Sequence, residues 1–507
     1  MQPLVRPQPI TEPPVSAAPS ILRGAGLMVP ATLVGSLLLL GVDAWANAHL
    51  SLADYGMYGA LRRFVQIAGF VVLLGMENAV IRAVARAPEG DAARASVRTA
   101  LGATAVVGSL LATALFAAAP WISARIDPGE ATETALRIAA VALPLWGVRT
   151  VAVAACQGWG SLAPRALVTF ILWPVVQFAG LWVLVGSLGL GAVGAVAAFT
   201  VAVGLGAAQA LWHLHRMRPA LLAPLHDPGE GVLTAMFAVS WPLWLHGVSM
   251  ALYTWWDQML LADLLGPREA GLYGPVAQLA PLFGLGLGAL NSAFAPIIAR
   301  RHAEGDNVGL AAHYRLVTRW AVLLAVPAVA LAVAAPMSVL APWAQASKET
   351  AQALQITAVA QLLCTAVGSV NYLLIMSGRP RDPLYNAIPA VAVSLGASLM
   401  LIPRYGVAGA AMANGLAMGV ANVGGLWQVH RHLGMHPFHL GMAKPIVAGA
   451  VVIAVTLAAK AVCGDGWLTL GVGGAVGGLF FLCAVAALGL DEGDRAVLAV
   501  IRKKVGR

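Results

Sequence analysis

The sequence from Asp54 to Asp91 occurs twice in this chain, and this repetition constrains the fold more than any other feature. Shifted by 215 positions, the segment lands on residues 269–306 without a gap. The matched positions are Gly56, Tyr58, Gly59, Arg86, Glu89, Gly90 and Asp91 with Gly271, Tyr273, Gly274, Arg301, Glu304, Gly305 and Asp306, and further along Gly191, Gly194, Trp212 and Arg216 with Gly406, Gly409, Trp427 and Arg431. The chain therefore contains a unit duplicated at this spacing, a construction that many membrane transporters share.

The composition indicates that the duplicated unit lies in a membrane. Of the 507 residues, 59% are hydrophobic and 10% are charged, whereas a soluble domain has about a quarter charged residues. A helix needs about 20 mostly apolar residues to cross the hydrocarbon core of a bilayer. Fourteen segments satisfy this requirement: 26–48, 56–81, 97–119, 131–155, 164–187, 189–212, 232–262, 270–299, 314–335, 350–376, 384–402, 406–429, 443–462 and 467–489. The sequence thus predicts an all-α polytopic membrane protein with about 14 transmembrane helices.

Lysine and arginine predict the orientation of these helices. If both termini are cytoplasmic, most of the 31 basic residues fall on the inner side, as the positive-inside rule requires. This placement also accounts for the net charge of +9, so no nucleic-acid partner is needed. Each repeat holds six predicted helices, an even number, and both copies therefore enter the membrane in the same direction. We expect two parallel six-helix lobes related by an axis along the membrane normal, plus a C-terminal helix pair.

These predictions divide the chain into five parts. The first lobe, with helices 1–6, occupies residues 21–230, and the second lobe, with helices 7–12, occupies residues 231–440. Helices 13 and 14 lie in residues 441–490 and have no counterpart in the repeat. Residues 1–20 contain six prolines and are predicted to be a disordered cytoplasmic tail. Residues 491–507 are predicted to be a second cytoplasmic tail.

Two carboxylates inside predicted helices are candidates for function. A charge inside the bilayer costs several kcal/mol unless it faces a partner or a cavity. Asp43 lies toward the outer end of helix 1, and Asp257 lies in the corresponding part of helix 7, one residue from the repeat register. One interpretation is that each carboxylate pairs with an arginine and holds helices together. The other is that one or both exchange a proton or a sodium ion, or contact the cargo, as the lobes move.

Three arginines inside the first lobe are further candidates. Arg62 and Arg63 lie near the outer end of helix 2, and Arg149 lies deeper, after Pro144 in helix 4. Adjacent residues are about 100° apart on a helix, so Arg62 and Arg63 cannot both face the same partner. Arginine binds phosphate in a two-pronged geometry. The three side chains therefore favour an anionic cargo, although each could instead be neutralised by a carboxylate such as Asp43.

Neutral polar and aromatic side chains complete the predicted site. Trp256 and Gln258 flank Asp257 in helix 7, and Asn291 lies in helix 8. Sugars are often held by aromatic faces beside amides and carboxylates. The alternatives are an aromatic belt at the membrane interface for Trp256 and hydrogen bonds between helices for the amides.

The chain shows none of the patterns that enzymes of common classes need. We find no nucleotide-binding loop, no cluster of metal ligands and no nucleophile beside a base. The four cysteines share no metal-binding or redox spacing. We therefore expect a protein that is not an enzyme and has no cofactor, and whose energy source is a proton or sodium gradient.

Several stretches resemble one family of transporters. LADYGMYGALRRFVQIAGFVVLLGMENAVIRAVAR resembles the helix-2 region of the polysaccharide flippases of the multidrug/oligosaccharidyl-lipid/polysaccharide (MOP) exporter superfamily. DQMLLADLLGPREAGLYGPVAQLA is similar to the turn between their helices 7 and 8, and IPRYGVAGAA is similar to a turn before their helix 12. By position, Asp257 matches the acid in helix 7 of the family, and Arg23 matches a basic residue at the mouth of the family's cavity.

The resemblance implies a function. It implies alternating access and export of a polyprenyl-pyrophosphate-linked oligosaccharide across the bacterial inner membrane, for exopolysaccharide or lipopolysaccharide biosynthesis. The implied partners are the lipid-linked oligosaccharide, membrane lipid, and a polysaccharide polymerase with its export machinery, and we expect a monomer. Two alternatives within the superfamily stay open, a lipid II flippase and a cation-coupled multidrug extruder. A membrane glycosyl polymerase or ligase is disfavoured because the predicted outer loops are short.

Overall fold

The computed structural model describes residues 18–87, 90–222 and 231–487. Nearly all of the predicted N-terminal tail, residues 1–20, and all of the predicted C-terminal tail, residues 491–507, lie outside these ranges. The described residues are almost entirely helical and contain no strand. This agrees with the predicted all-α fold, because a segment that crosses hydrocarbon must satisfy its backbone hydrogen bonds internally.

The first lobe consists of seven helices, two of which share one crossing of the membrane. They are α1 (Ala18–His49), α2 (Leu52–Leu73), α3 (Met76–Arg86), α4 (Asp91–Ile126), α5 (Glu130–Gly158), α6 (Ala163–Ser187) and α7 (Gly191–Met217). The helix α6 includes two π-helical stretches, Ala166–Leu172 and Trp182–Ser187. At the centre of the lobe, α5 packs between α4 and α7.

The second lobe repeats this plan, and a helix pair follows it. Its helices are α8 (Val232–Leu264), α9 (Pro267–Phe283), α10 (Leu285–Ala303), α11 (Asn307–Ala334), α12 (Lys348–Val367), α13 (Val370–Met376) and α14 (Asp382–Leu433), followed by α15 (Ala443–Cys463) and α16 (Trp467–Ala487). The last two helices pack against each other and against α11. They therefore attach to the second lobe, as an addition to the duplicated core.

The helices account for the fourteen predicted crossings. Twelve helical segments of the described chain are long and apolar enough to span a membrane, and the bent pair of α2 and α3 supplies another crossing. The 52-residue helix α14 is two crossings joined at Gly406, where the backbone leaves the helical region with φ 56° and ψ −130°. Its repeat counterpart Gly191 also has a positive φ, 53°, and begins α7. The same residue type therefore makes the same turn in both lobes.

Three crossings that the sequence predicts as single helices are broken. The second crossing bends by 45° between α2 and α3, where both Leu74 and Gly75 have positive φ. The eighth crossing is interrupted at Gly284, between α9 and α10. The tenth is interrupted at Gly368, between α12 and α13, where φ is 77°. Hydropathy cannot reveal these breaks, because the residues on both sides remain apolar.

The lobes meet where α2 crosses α9. We call this end of the bundle, at which α1 ends and α2 begins, the outer end. A Cβ atom on Gly56 would overlap the carbonyl oxygen of Pro267, and a Cβ atom on Gly271 would overlap the carbonyl oxygen of Leu52. Leu52 and Pro267 are themselves repeat counterparts, so the two contacts are related by the pseudo-twofold axis. The repeated glycines thus let two backbones touch at the junction of the lobes.

The repeated tryptophan and arginine residues lie at the opposite, inner end. The Arg216 guanidinium lies 5.1 Å from the Trp212 ring centroid, and the Arg431 guanidinium lies 5.2 Å from the Trp427 ring centroid. Each pair is separated by four residues, which places both side chains on one face of a helix. The tryptophans are exposed on the surface of the bundle. Such amphipathic side chains are typical of helix ends at a membrane interface.

Candidate functional site

Asp43 is the centre of a buried polar cluster at the outer end. Its carboxylate accepts hydrogen bonds from the Tyr55 hydroxyl at 2.6 Å, from the Arg62 guanidinium at 3.1 Å and from the Trp343 indole N–H at 3.0 Å. The Asp43 side chain is fully buried. Tyr55 and Arg62 belong to α2, whereas Trp343 precedes α12 in the second lobe. A single carboxylate therefore connects two helices of the first lobe to the second lobe.

The adjacent residues Arg62 and Arg63 have different partners, as their helical separation requires. Arg62 pairs with Asp43 and also donates to the Gln278 side chain at 3.3 Å. Arg63 donates to the carbonyl oxygen of Ala277 at 3.0 Å. In the repeat, Arg62 corresponds to Ala277 and Arg63 to Gln278, so each arginine bonds the counterpart of the other. Both side chains consequently lie close to the pseudo-twofold axis.

Asp257 occupies a related position in the second lobe without an arginine on its carboxylate. The Tyr273 hydroxyl donates to Asp257 at 2.5 Å, and the backbone N–H of Gln258 donates to it at 2.9 Å. The Gln258 side chain donates to the carbonyl oxygen of Ala270 and lies against Gly59 of the first lobe. Each acid thus accepts a hydrogen bond from a tyrosine of its own lobe. Their charge balance differs, because the Asp257 carboxylate forms no ion pair among the described residues.

Further polar contacts join the lobes at the outer end. Gln345 donates to two backbone carbonyl oxygens, those of Asn47 and Leu50, and its own backbone N–H donates to the Asn47 side chain at 3.1 Å. Arg125 of α4 forms a two-pronged ion pair with Asp263 of α8, at 2.7 and 3.3 Å. We call all the contacts between the lobes at this end, polar and backbone, the outer closure. Its members are Asp43, Asn47, Gly56, Arg62, Arg63, Arg125, Asp263, Gly271, Trp343 and Gln345.

A cavity lies beneath the outer closure, between α2 and α4 of the first lobe and α8 of the second. Its volume is about 230 Å³, and apolar side chains dominate its lining. Trp256 lines it, and the Trp256 indole N–H has no acceptor among the described residues. The structure thus places the Trp256 side chain at the junction of the lobes. Its role in holding a sugar stays a prediction.

Arg149 lies apart from the other two arginines, inside the first lobe. Its guanidinium carbon is 4.4 Å from the Trp146 ring centroid and 4.7 Å from the Trp173 ring centroid. The side chain is 5% exposed, and one of its terminal nitrogens has no hydrogen-bond partner among the described residues. The three arginines are therefore not gathered at one point, as the prediction of a shared phosphate site assumed. Two of them belong to the outer closure, and Arg149 has a separate environment.

Two predicted residues remain, Asn291 and Arg23. Asn291 in α10 accepts a hydrogen bond from the Ser369 hydroxyl, which lies at the break between α12 and α13. This is the structural hydrogen bond between helices that the sequence left open as an alternative. Arg23 is in α1, but the position of its side chain lies outside the described structure.

The sequence did not single out Trp343, Gln345, Tyr55 or Trp173 as parts of the site. Trp343 and Gln345 lie in a short connection whose contacts depend on tertiary structure alone. The repeat itself held a signal for the tyrosines, because Tyr58 and Tyr273 are aligned counterparts and each lies in its lobe's acid cluster: Tyr273 binds Asp257, and Tyr58 accepts from Arg62 at 3.4 Å. Polar residues that occupy the same repeat position in both lobes, within otherwise apolar helices, could thus have been selected from the sequence as candidate site residues.

Comparison with known proteins gives one family and a set of folds. A family described as "Polysaccharide biosynthesis protein" matches residues 49–345. The fold is similar to the lipid II flippase MurJ in an inward closed conformation, with a TM-score of 0.71, 11% identity, and coverage of 95% of this chain and 100% of that chain. No curated protein matches the chain.

Two further solved structures share the fold. An inward-facing multidrug resistance MATE family transporter of the MOP superfamily has a TM-score of 0.67 and 15% identity, over 80% of this chain and 98% of that chain. A MOP superfamily transporter from Pyrococcus furiosus has a TM-score of 0.53 and 16% identity, over 81% of this chain and 95% of that chain. At these identities the similarity is one of fold.

Proposed function

The chain belongs to the polysaccharide biosynthesis protein family, and from this membership we propose that it translocates a polyprenyl-pyrophosphate-linked oligosaccharide across the membrane. The predicted MOP superfamily and the all-α multi-pass fold are confirmed. The substrate and the direction of transport are the proposal. A flippase makes and breaks no covalent bond, so it needs no catalytic residues.

The outer closure is the observation that carries this proposal. At the outer end the two like-oriented lobes meet through hydrogen bonds, apolar contacts and one exposed ion pair, in which Arg125 is 63% exposed. The lobes also touch along α8, where the Trp244 indole N–H donates to the carbonyl oxygen of Phe70 at 2.9 Å. Exposed ion pairs contribute about 0–1 kcal/mol each, so this pair adds little resistance to separation of the lobes at the outer end. Such a junction can close on one side of the membrane and release on the other, which alternating access requires.

The physical problem of the cargo fits a two-lobed pathway. A sugar–pyrophosphate head cannot enter hydrocarbon, because charged and polar groups lose their hydration there. A polar pathway between the lobes would shield the head while the polyprenyl tail stays in lipid. The buried positive charge of Arg149 would favour an anionic cargo. We place the protein in the bacterial inner membrane with both termini cytoplasmic, where the polymerase and export machinery would take the product.

A reversible cross-link across the outer closure tests the proposal. In a chain without its four native cysteines, Asn47→Cys and Gln345→Cys introduce a pair at a contact between the lobes. Oxidation should hold the outer end closed and stop appearance of the lipid-linked oligosaccharide on the outer face, and reduction should restore it. Each single cysteine variant is the control. Continued export by the fully cross-linked protein would contradict alternating access through this end.

Coupling to a proton or sodium gradient is proposed for the two buried acids. Asp43 lies in the outer closure, and Asp257 lacks an ion pair, so a change in the charge of either carboxylate would alter contacts between helices. These acids would serve a cation-coupled multidrug extruder equally well. Deleting the gene separates the two functions: the flippase predicts loss of a surface glycan with its lipid-linked unit retained inside, and the extruder predicts only increased drug sensitivity.

A further inference from the structure

Arg149 is a buried cation that forms no ion pair with any acid in the described part of the chain. Arginine stays protonated in proteins, and its 5% exposure leaves little contact with solvent. Arg62, by contrast, pairs with Asp43, and Arg63 donates to a carbonyl oxygen and to the Gln66 side chain. An uncompensated charge in such a position costs several kcal/mol. A charge retained at this cost indicates a partner that is absent from the chain itself.

A second donor without an acceptor lies beside Arg149. The Trp173 indole N–H is buried and has no hydrogen-bond partner among the described residues. Its ring centroid is 4.7 Å from the Arg149 guanidinium carbon, so the two unpaired donors belong to neighbouring groups. Buried N–H groups in native proteins are nearly always paired. Two unpaired donors on neighbouring side chains, with no acid paired to either among the described residues, indicate a site for a ligand that offers acceptors.

The surroundings of Arg149 fix the position of its charge. The Trp146 and Trp173 rings are nearly perpendicular, at 88°, and form a corner that holds the guanidinium by cation–π contacts. The aliphatic part of the side chain lies against Gly206 of α7, where a Cβ atom would come within 3.1 Å of the Arg149 Cδ atom. Helices α5, α6 and α7 therefore each contribute one element of the site, and the guanidinium is held without using all its hydrogen-bonding capacity.

We propose that Arg149 and Trp173 form a binding site for an oxyanion of the phosphate class, and that the phosphate of a polyprenyl carrier lipid is its occupant. A phosphate oxygen accepts from both a guanidinium and an indole N–H, and its charge neutralises the arginine. The inference of a lipid phosphate rests on the proposed function. The site itself rests on the two unpaired donors and on the charge that no acid balances.

Binding to the purified full-length protein tests the site. The probe is undecaprenyl phosphate in detergent micelles, compared with the neutral alcohol undecaprenol and with inorganic phosphate. Arg149→Gln should raise the Kd for undecaprenyl phosphate at least tenfold, since a hydrogen bond to a charged group is worth about 1.5–3 kcal/mol. Trp173→Phe keeps the ring but loses the donor to a charged acceptor, and a rise of about tenfold is expected. Binding of undecaprenol should not change in either variant.

Arg137→Gln is the matched control. Arg137 lies in the same helix and also contacts an aromatic ring, with its guanidinium carbon 5.0 Å from the Phe116 centroid. It is 42% exposed and paired with Glu133, so its loss should leave the Kd unchanged. Equal affinities in the wild type, Arg149→Gln and Arg137→Gln would overturn the site. Binding of inorganic phosphate that depends on Arg149, without any such dependence for the lipid, would overturn the assigned occupant.

The thermal stability of the ligand-free protein distinguishes binding from packing. If Arg149 binds an external anion, its charge is uncompensated in the ligand-free protein. Arg149→Gln then removes that charge, and the unfolding temperature should stay constant or rise. A fall of several degrees would identify a structural cation–π contact and overturn the proposal. These measurements use the isolated protein and are independent of transport. An Arg149-dependent Kd together with normal surface glycan in the deletion strain would retain the anion site and reject the flippase.

Discussion

The three arginines of the first lobe have different partners, and these partners depend on the tertiary surroundings of each side chain. The sequence placed Arg62, Arg63 and Arg149 inside predicted helices and correctly required different partners for the adjacent pair. It could not assign those partners, because Asp43, Ala277 and Trp173 are distant in the chain and meet only in the folded bundle. Residue type and depth are thus readable from a membrane sequence, whereas charge compensation is a property of tertiary structure.

Trp343→Phe should weaken the outer closure. Phenylalanine retains an apolar ring at this buried position but loses the indole N–H that donates to the Asp43 carboxylate at 3.0 Å. A hydrogen bond to a charged acceptor contributes about 1.5–3 kcal/mol, so the fraction of molecules open at the outer end should rise about tenfold or more. Labelling of a cysteine at Asn47 by a membrane-impermeant maleimide measures this fraction.

Trp467→Phe is the control for this substitution. Trp467 begins α16 and is 64% exposed, so its indole takes no part in the contacts between the lobes. Trp467→Phe should leave the labelling rate of the cysteine introduced at Asn47 unchanged. An unchanged rate in Trp343→Phe as well would show that the indole hydrogen bond does not hold the lobes together.

Asp306 should make the stability of α11 sensitive to acid. The backbone N–H of Gly309 donates to its carboxylate at 2.8 Å, and together with the nearby Arg301 this hydrogen bond lowers the pKa of Asp306. A lowered pKa in the folded state means that the ionised carboxylate stabilises the fold at neutral pH. This contribution is lost as the pH falls through the folded pKa, below the ordinary range of an aspartate.

Unfolding temperatures of Asp306→Ala and the wild type at a series of pH values measure this effect. The difference should stay constant from pH 7 to pH 5 and shrink below about pH 4. Glu304→Gln serves as control, because Glu304 is 58% exposed and faces only Arg300 at 3.8 Å. A difference for Asp306→Ala that persists unchanged at the lowest pH would show that the charge of this cap is unimportant.

At the scale of helices, hydropathy and repetition predicted most of the fold. Most of the fourteen crossings lie within a few residues of their predicted bounds; the fourth, for example, was predicted at 131–155 and is Glu130–Gly158. The third is longer than predicted, Asp91–Ile126 against 97–119. The repeat glycines also have structural counterparts, since Gly191 and Gly406 both have positive φ. The breaks at Leu74–Gly75, Gly284 and Gly368 were missed. With 55 glycines in the chain, a single glycine inside an apolar segment carries too little information to predict a break.

Gly56→Ala should prevent the close crossing of α2 and α9. The added methyl group would overlap the carbonyl oxygen of Pro267, and backbone atoms cannot move aside as a flexible side chain can. The outer closure should therefore open, and cross-linking between cysteines at Asn47 and Gln345 should fall at least tenfold. The helix itself should remain folded, because alanine has a higher helix propensity than glycine by about 1 kcal/mol.

Gly102→Ala separates the steric effect from a general effect of the substitution. Gly102 lies in α4, and a Cβ atom there would meet no atom within 4 Å. Its cross-linking yield should equal that of the parent, and its unfolding temperature should stay constant or rise slightly. Equal yields in Gly56→Ala and the parent would mean that the crossing of α2 and α9 tolerates a wider separation than its geometry suggests.

At the scale of the whole molecule, duplication explains why several of the candidate residues lie at the junction of the lobes. Residues near a pseudo-twofold axis lie beside the counterparts of their neighbours, and Arg62 and Arg63 accordingly contact Gln278 and Ala277. The two copies differ there, because the adjacent arginines occur in the first lobe only and correspond to Ala277 and Gln278 in the second. The sequence predicted the axis and the divergence separately. Their combination, a positively charged first lobe donating to neutral groups of the second, became visible only when the lobes were assembled.

The ion pair between Arg125 and Asp263 allows a test of the equilibrium between the closed and open arrangements of the two lobes. It is exposed and joins α4 to α8, so it contributes to the contact between lobes and little to the stability of either lobe. Arg125→Asp places two carboxylates opposite each other and should lower the yield of the cross-link between cysteines at Asn47 and Gln345. Adding Asp263→Arg restores opposite charges in reversed order, and the yield should recover.

Salt distinguishes this electrostatic effect from a change in packing. At about 1 M salt the Debye length falls to about 3 Å, so the yields of the single variant and the parent should converge. A defect that persists in high salt, or that Asp263→Arg does not repair, would mean that Arg125 acts through its apolar contacts. Recovery in both experiments would instead establish that a pair of surface charges biases the equilibrium between the closed and open arrangements of two whole lobes.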